Sequence, residues 1–207
     1  MYNLTKTYSD PCPLGTFISD YMQKIGKTDI AFHSTGFTMF HLGVSDSNVI
    51  TKYDLDKVIC PGSSSICKMV LSVEELKKVF ENATKCRMFK DRGNSRFIQC
   101  SNNIKIIGKG NKQDNTYEIF QINIDGEDLL DKNHNPKDYT KTYSCTVDSY
   151  IASGEQGFDV LKNLPKEIIY KNGKEITLND LLRWAVCDAE KTFNGNIDYP
   201  TFCLEDC

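Results

Sequence analysis

Residues 141–164 read KTYSCTVDSYIASGEQGFDVLKNL. The stretch opens as an alternating, β-branched and aromatic run with Tyr143, Cys145 and Val147 on one face, the period-2 signature of a strand. A small-residue break follows at Ala152-Ser153-Gly154. Beyond Gly157 the spacing of Phe158, Leu161 and Leu164 predicts a helix. A strand that runs into a glycine-bearing turn and then a helix leaves exposed backbone N–H groups and a well-held aromatic beside a cleft.

Working outward, residues 13–25 set Leu14, Phe17, Ile18, Tyr21, Met22 and Ile25 on one helical face, with Pro13 at the start and Gly26 at the stop. Ser72 and Glu75 form a capping box ahead of a helix carrying Leu76, Val79, Phe80 and Ala83. Residues 96–107 and 117–124 alternate like strands around a polar turn at 108–115. Ile168-Ile169-Tyr170 turns at Asn172-Gly173, a strong hairpin signal, into Glu175-Ile176. Thr177 then caps a final helix with Leu178, Leu181, Leu182, Ala185 and Val186. Helices and strands interleave without strict βαβ alternation. The expected class is therefore α+β, mixed β-sheets packed between helices. One domain over residues 10–188 is expected, followed by a cysteine-containing tail over 189–207.

The chain's 207 residues suit one sizeable core. A net charge of -3 argues against a general nucleic-acid or membrane-surface binder. No apolar run approaches a membrane span, and the first residues lack the basic-then-apolar pattern of a signal peptide. Nine cysteines make no paired CxxC, and with three scattered histidines they give no zinc pattern. They read either as a few buried thiols or as several disulfide bridges in an oxidising compartment. Asn3-Leu4-Thr5 and Asn82-Ala83-Thr84 are glycosylation sequons that lean toward the second reading. An extracytoplasmic setting (secreted, vacuolar or cell surface) is the expectation.

Catalytic chemistry is not evident from the residues alone. His33, His41 and His134 are each isolated in sequence, and structural roles are expected for His41 and His134. Gly108-Lys109-Gly110 is half a nucleotide motif in a turn context, and no P-loop exists. Glu74/Glu75 and Asp125/Glu127/Asp128 read as solvated faces and turns. No Ser or Cys nucleophile has a recognisable setting.

Several motifs fall in one order along the chain. Pro13-Leu14-Gly15-Thr16-Phe17-Ile18-Ser19-Asp20-Tyr21-Met22 resembles "LGNLIxDAM". Asp29-Ile30-Ala31-Phe32 followed by His33-Ser34-Thr35-Gly36-Phe37-Thr38 resembles a short strand and "NGGGIR". Ile50-Thr51-Lys52-Tyr53-Asp54-Leu55 resembles "IT..DL", and Ser95-Arg96-Phe97-Ile98-Gln99 resembles "GxFLQ". Ser149-Tyr150-Ile151-Ala152-Ser153-Gly154-Glu155-Gln156-Gly157-Phe158 resembles "xFLAxGGDGF". In this order the motifs resemble the C-terminal, substrate-binding domain of the 5'-nucleotidase / UDP-sugar hydrolase family, over roughly residues 10 to 185.

The resemblance implies a nucleotide- or nucleoside-recognition domain of a divergent hydrolase of nucleotide catabolism. The family's two divalent metal ions belong to a separate N-terminal metallophosphatase domain. No cofactor is expected in this chain, and alone it is expected to be inactive. The family's aromatic clamp on the base falls at Phe97 and Tyr150, with a packed core residue the alternative for Phe97. Stacking on a base contributes about 1–3 kcal/mol per ring. The family's ribose-binding carboxylate falls at Gln156, next to Glu155 and within the turn begun by Gly154. The arginine of "NGGGIR" falls at Thr38 and its asparagine at His33. A second family arginine precedes the "LGN" helix, where this chain has Asp10-Pro11-Cys12-Pro13. Losing two charge-assisted bonds costs roughly 3–6 kcal/mol, or about two to four orders of magnitude in affinity for a phosphorylated ligand. Arg92 and Arg96 flank Phe97 and could compensate. The alternative expectation is a non-catalytic descendant, a pseudoenzyme that binds a small ligand or protein or forms a homodimer.

Overall fold

The computed structural model describes residues 11–37, 64–85, 97–111, 116–189 and 202–206. Helix α1 (Pro13–Gly26) starts as the sequence predicts: Cys12 is the N-cap, its Sγ accepts the Gly15 N–H at 3.3 Å, and Pro13 fills the first helical position. The stop differs in detail. Gly26 is the last helical residue and Lys27 takes the left-handed cap, with φ 52°. What Gly26 provides is proximity, because a Cβ there would lie 1.9 Å from Thr146 Oγ1. The bare backbone lets α1 rest on the sheet.

Strand β1 (Ile30–Ser34) leads to a 3-10 turn, Thr35–Phe37. Strand β2 (Ile66–Ser72) runs into α2 (Val73–Thr84) through the expected capping box. There, Ser72 Oγ accepts from Glu75 N–H, and the Glu75 carboxylate accepts from Ser72 N–H at 2.7 Å. The alternating run at 96–107 is two strands, β3 (Ile98–Cys100) and β4 (Ile104–Asn111), broken by a turn at 101–103. β4 continues through Gly108-Lys109-Gly110 with a bulge at Ile107/Gly108, then pairs with β5 (Thr116–Ile124). The half nucleotide motif is thus strand, packed on Tyr117.

β6 (Glu127–Asp128) and β7 (Thr142–Asp148) follow, then a single helical turn α3 (Ser149–Ala152). The helix expected after Gly157 is instead a 3-10 turn, Asp159–Leu161. Buried Phe158 and Leu161 are three residues apart, which a 3-10 turn aligns, and Pro165 disfavours helical geometry for Leu164. After β8 (Glu167–Ile168), strands β9 (Tyr170–Lys171) and β10 (Lys174–Glu175) form the predicted hairpin, with Asn172 and Gly173 at φ 53° and 75°. Thr177 caps α4 (Leu178–Ala189), with Asp180 accepting in return from Thr177 N–H. Residues 202–206, read from sequence as part of a tail, form β11 (Phe202–Asp206).

The main sheet has the order β3-β1-β7-β2-β8, in which β1 and β7 are parallel and the other pairs antiparallel. A second sheet has the order β11-β4-β5-β6, β11 lying parallel to β4. One face of the main sheet, with Ile30, Phe32, Cys67, Met69, Leu71, Cys145 and Val147, shares a core with α2 and the second sheet. The other face holds Ala31 and Ile66 against Ile18 and Met22 of α1 and Leu178, Leu181 and Leu182 of α4. Mixed sheets between helices are the observed architecture. Among the described residues no helix is long and apolar enough to cross a membrane.

Cys12, Cys67, Cys100, Cys145 and Cys187 are free thiols, the last exposed, so bridges expected at these positions are not formed. Burial raises the Cys67 thiol to about 12 and pushes Cys100 and Cys145 well above the ordinary range. The Asn82 sequon lies inside α2. Asn82 is 9% exposed and Thr84 1%, which leaves no room for a glycan in the folded chain.

Candidate functional site

Parallel strands β1 and β7 end on the same edge of the main sheet, and antiparallel β2 begins there. Three polar segments therefore meet at one place: Ser34-Thr35-Gly36 at the end of β1, Asp148-Ser149-Tyr150 at the end of β7, and Ser64-Ser65 before β2. Crevices at the carboxyl ends of strands are where open sheets bind ligands. The turn Glu155–Gly157 completes this rim, since Ser34 Oγ donates to Gln156 Oε1 at 3.2 Å across 122 residues of chain.

Asp148 is fully buried beneath the rim. Its Oδ2 accepts Ser34 N–H at 2.7 Å, and its Oδ1 accepts Tyr150 and Ile151 N–H, both at 3.1 Å. Burial raises this carboxyl to about 6, while the backbone donors and the Ser64 hydroxyl pull the other way. Above it, Ser64 Oγ accepts Tyr150 N–H at 2.9 Å and lies 2.7 Å from Ser149 Oγ, which also accepts from Ser65 Oγ at 3.1 Å. The rim is thus a hydroxyl-rich lattice, with Tyr150 38% exposed beside it.

Gln156 sits at φ 55° and Gly154 at φ 92°. A Cβ at Gly154 would meet Lys162 Cβ at 2.9 Å, so both conformation and space call for glycine. Asn82 Nδ2 donates to the Gln156 carbonyl at 3.2 Å, which fixes the turn from α2 below. His33 lies deeper. Its Nδ1 is 3.1 Å from Ser19 Oγ, whose own proton goes to the Gln99 carbonyl at 3.0 Å. His33 is fully buried, its Nε2 has no partner, and burial holds it neutral by lowering its pKa to about 3.

Of the residues singled out from sequence, Tyr150, Gly154 and Gln156 come together at the rim. His33 lies behind it, in the layer between β1 and α1, as a neutral group rather than a cation. Phe97 is fully buried and meets the site through its backbone, its carbonyl accepting Thr35 N–H at 3.0 Å and Thr35 Oγ1 at 2.8 Å. Its ring is not exposed in this structure. Thr38, Arg92 and Arg96, like His41, lie outside the described residues. Asp148, Ser34, Ser64 and Asn82 were not singled out as site residues in the sequence. An Asp that ends a strand just before Ser149 is an N-cap signal, and Asp148 caps α3.

A family model for the 5'-nucleotidase C-terminal domain matches residues 2–163. No curated protein matches the chain. A putative 5'-nucleotidase from Staphylococcus aureus, in complex with alpha-ketoglutarate, superposes with TM-score 0.68 at 14% identity, over 100% of this chain and 39% of that one. The 5'-nucleotidase precursor from Thermus thermophilus gives 0.67 at 18% identity, over 96% and 36%. Haemophilus influenzae NAD nucleotidase gives 0.63 at 13%, over 94% and 33%. This chain thus spans between 33% and 39% of the length of these structures, and at such identities the likeness is one of fold. With the family model covering most of its length, the chain belongs to the 5'-nucleotidase C-terminal domain family.

Proposed function

We propose that this domain recognises a nucleoside or nucleotide on behalf of a 5'-nucleotidase-like hydrolase, with phosphate-ester chemistry and its two divalent metal ions supplied by a metallophosphatase domain in cis. The observation that carries this reading is the joining of the Ser34 turn to Gln156 at the carboxyl edge of β1 and β7, with Tyr150 exposed beside it. Tyr150 offers a ring face for a base, and Gln156 with the serine hydroxyls offers neutral partners for sugar hydroxyls. Phe97 is buried in this structure, so Tyr150 is the ring that this reading assigns to the base. Among the described residues the rim carries hydroxyls, amides and the exposed Glu155 carboxylate and no cation, which favours an uncharged nucleoside over its phosphate. An extracytoplasmic setting fits this role, and a non-catalytic ligand-binding or dimerising module is the same site without its hydrolase partner.

Isothermal titration with adenosine and AMP tests this. Adenosine is expected to bind at least as tightly as AMP, and Tyr150→Ala to weaken it by roughly 1–3 kcal/mol. Absence of adenosine binding by the intact chain overturns the reading. The chain alone is expected not to turn over AMP with or without added divalent metal, and turnover by pure protein would show chemistry this reading does not contain.

A further inference from the structure

We infer that Asp148 is the positioning residue of this site, its carboxylate tying the Ser34 turn to the turn that carries Tyr150. One oxygen holds the last residue of β1 and the other holds the start of α3, so the two oxygens of one side chain set the spacing of two segments 114 residues apart. Ser34 in turn holds Gln156. The tie reaches both polar and aromatic halves of the rim without Asp148 itself being open to solvent.

A carboxylate accepts all three N–H groups without a competing proton. A protonated acid keeps one strong acceptor oxygen and must find a place for its hydrogen among donors. The tie therefore depends on charge, and burial brings the midpoint near neutrality, at about 6. Among the described residues, two neighbouring titratable groups lie outside that window. His33, across from Asp148 on β1, stays neutral down to about 3, and Cys67 on β2 stays a thiol to about 12. On the segment leading to β8, Lys166 donates to the Ala152 carbonyl at 2.6 Å, and Glu155 on the rim is exposed.

The consequence for ligand rests on the function proposed above, whereas the tie does not. Amide NMR of the full chain from pH 4 to 8 reads it directly. Ser34, Tyr150 and Ile151 amides are expected to move with one common midpoint near 6, and Asp148→Asn to abolish that titration. Adenosine affinity is expected to fall about tenfold on the acid side of the midpoint, and in Asp148→Asn to stay at the weak limit at every pH. Separate midpoints, or none, for the three amides overturn the inference. So does a common midpoint with pH-independent adenosine binding. If wild type binds no adenosine at any pH, the proposed function fails, and the amide titration alone judges the tie. If Asp148→Asn does not fold, the wild-type titration decides.

Discussion

The two faces of the main sheet are built from alternate residues of the same strands, yet they bury different chemistry. Toward α2 the inward side chains are Ile30, Phe32, Cys67, Met69, Leu71, Cys145 and Val147, apolar but for two thiols that burial holds protonated. Toward α1 the same strands bury His33, Gln99, Thr146 and Asp148 beside Thr16 and Ser19 of the helix. Apolar contacts are non-directional and supply stability in proportion to area. Buried polar groups contribute little net free energy but tolerate few arrangements, so they fix position. The rim lies at the end of the sheet where the two faces meet: Asp148 ties it from the second face, and Asn82 of α2 braces its Gln156 turn from the first.

The largest effect expected from breaking this contrast is on the apolar face. Phe32 is fully buried and meets Phe80 edge-to-face at 6.5 Å between ring centroids. Phe32→Ala is expected to cost about 3–5 kcal/mol, seen as a lowered urea midpoint, while adenosine affinity of the folded fraction changes less than about twofold. A large loss of affinity at unchanged stability would mean that the two faces do not divide these tasks.

The polar face makes its own prediction through His33. Its folded pKa, about 3, lies below the unfolded value of 6.5, so the unfolded chain takes the proton first. The contribution of a neutral His33 is complete above about pH 6.5 and is lost as pH falls toward 3. Stability of wild type relative to His33→Gln should drop by about 1.4 kcal/mol per pH unit between roughly 6 and 4. Asp148 acts in the opposite sense: raised from 3.8 to about 6, it favours the fold at low pH and loses that contribution as pH climbs through its folded value. The two slopes oppose one another in this window, so Asp148→Asn should uncover a steeper acid loss than wild type shows. A pH-independent difference between wild type and His33→Gln would mean that His33 is not held neutral.

The same contrast explains what could be read from sequence. Local signals were legible: the Ser72/Glu75 box, the Asn172-Gly173 turn, and the alternation of Tyr143, Cys145 and Val147 are each complete within a few residues. The site was only half legible. Tyr150, Gly154 and Gln156 lie on one segment and travel together, but the Asp148–Ser34 and Ser34–Gln156 bonds span 114 and 122 residues, and no local pattern encodes them. The direction of the Phe97 ring was not legible for a related reason. It leads into β3, which is buried along its whole length, and a strand covered on both faces carries no alternation to say which way a ring points. The Asn82 sequon misled because three residues cannot show that their asparagine is turned inward.

Asn82 gives the smallest and most local test. Its one described bond runs from Nδ2 to the Gln156 carbonyl, and its Oδ1 lies where a Cβ on Gly157 would approach to 3.1 Å. It therefore braces the left-handed Gln156 turn without belonging to the rim. Asn82→Ala removes that brace and a neutral hydrogen bond, so stability should fall by about 1 kcal/mol, measured by urea unfolding. The more telling readout is amide exchange, which should quicken at residues 155–158 and stay unchanged at Ser34 and Tyr150, where Asp148 still holds the chain. Exchange that quickens equally at all of these would mean the rim moves as one piece. In that case the polar face would be governed by general packing, as the apolar face is, and not by individual ties.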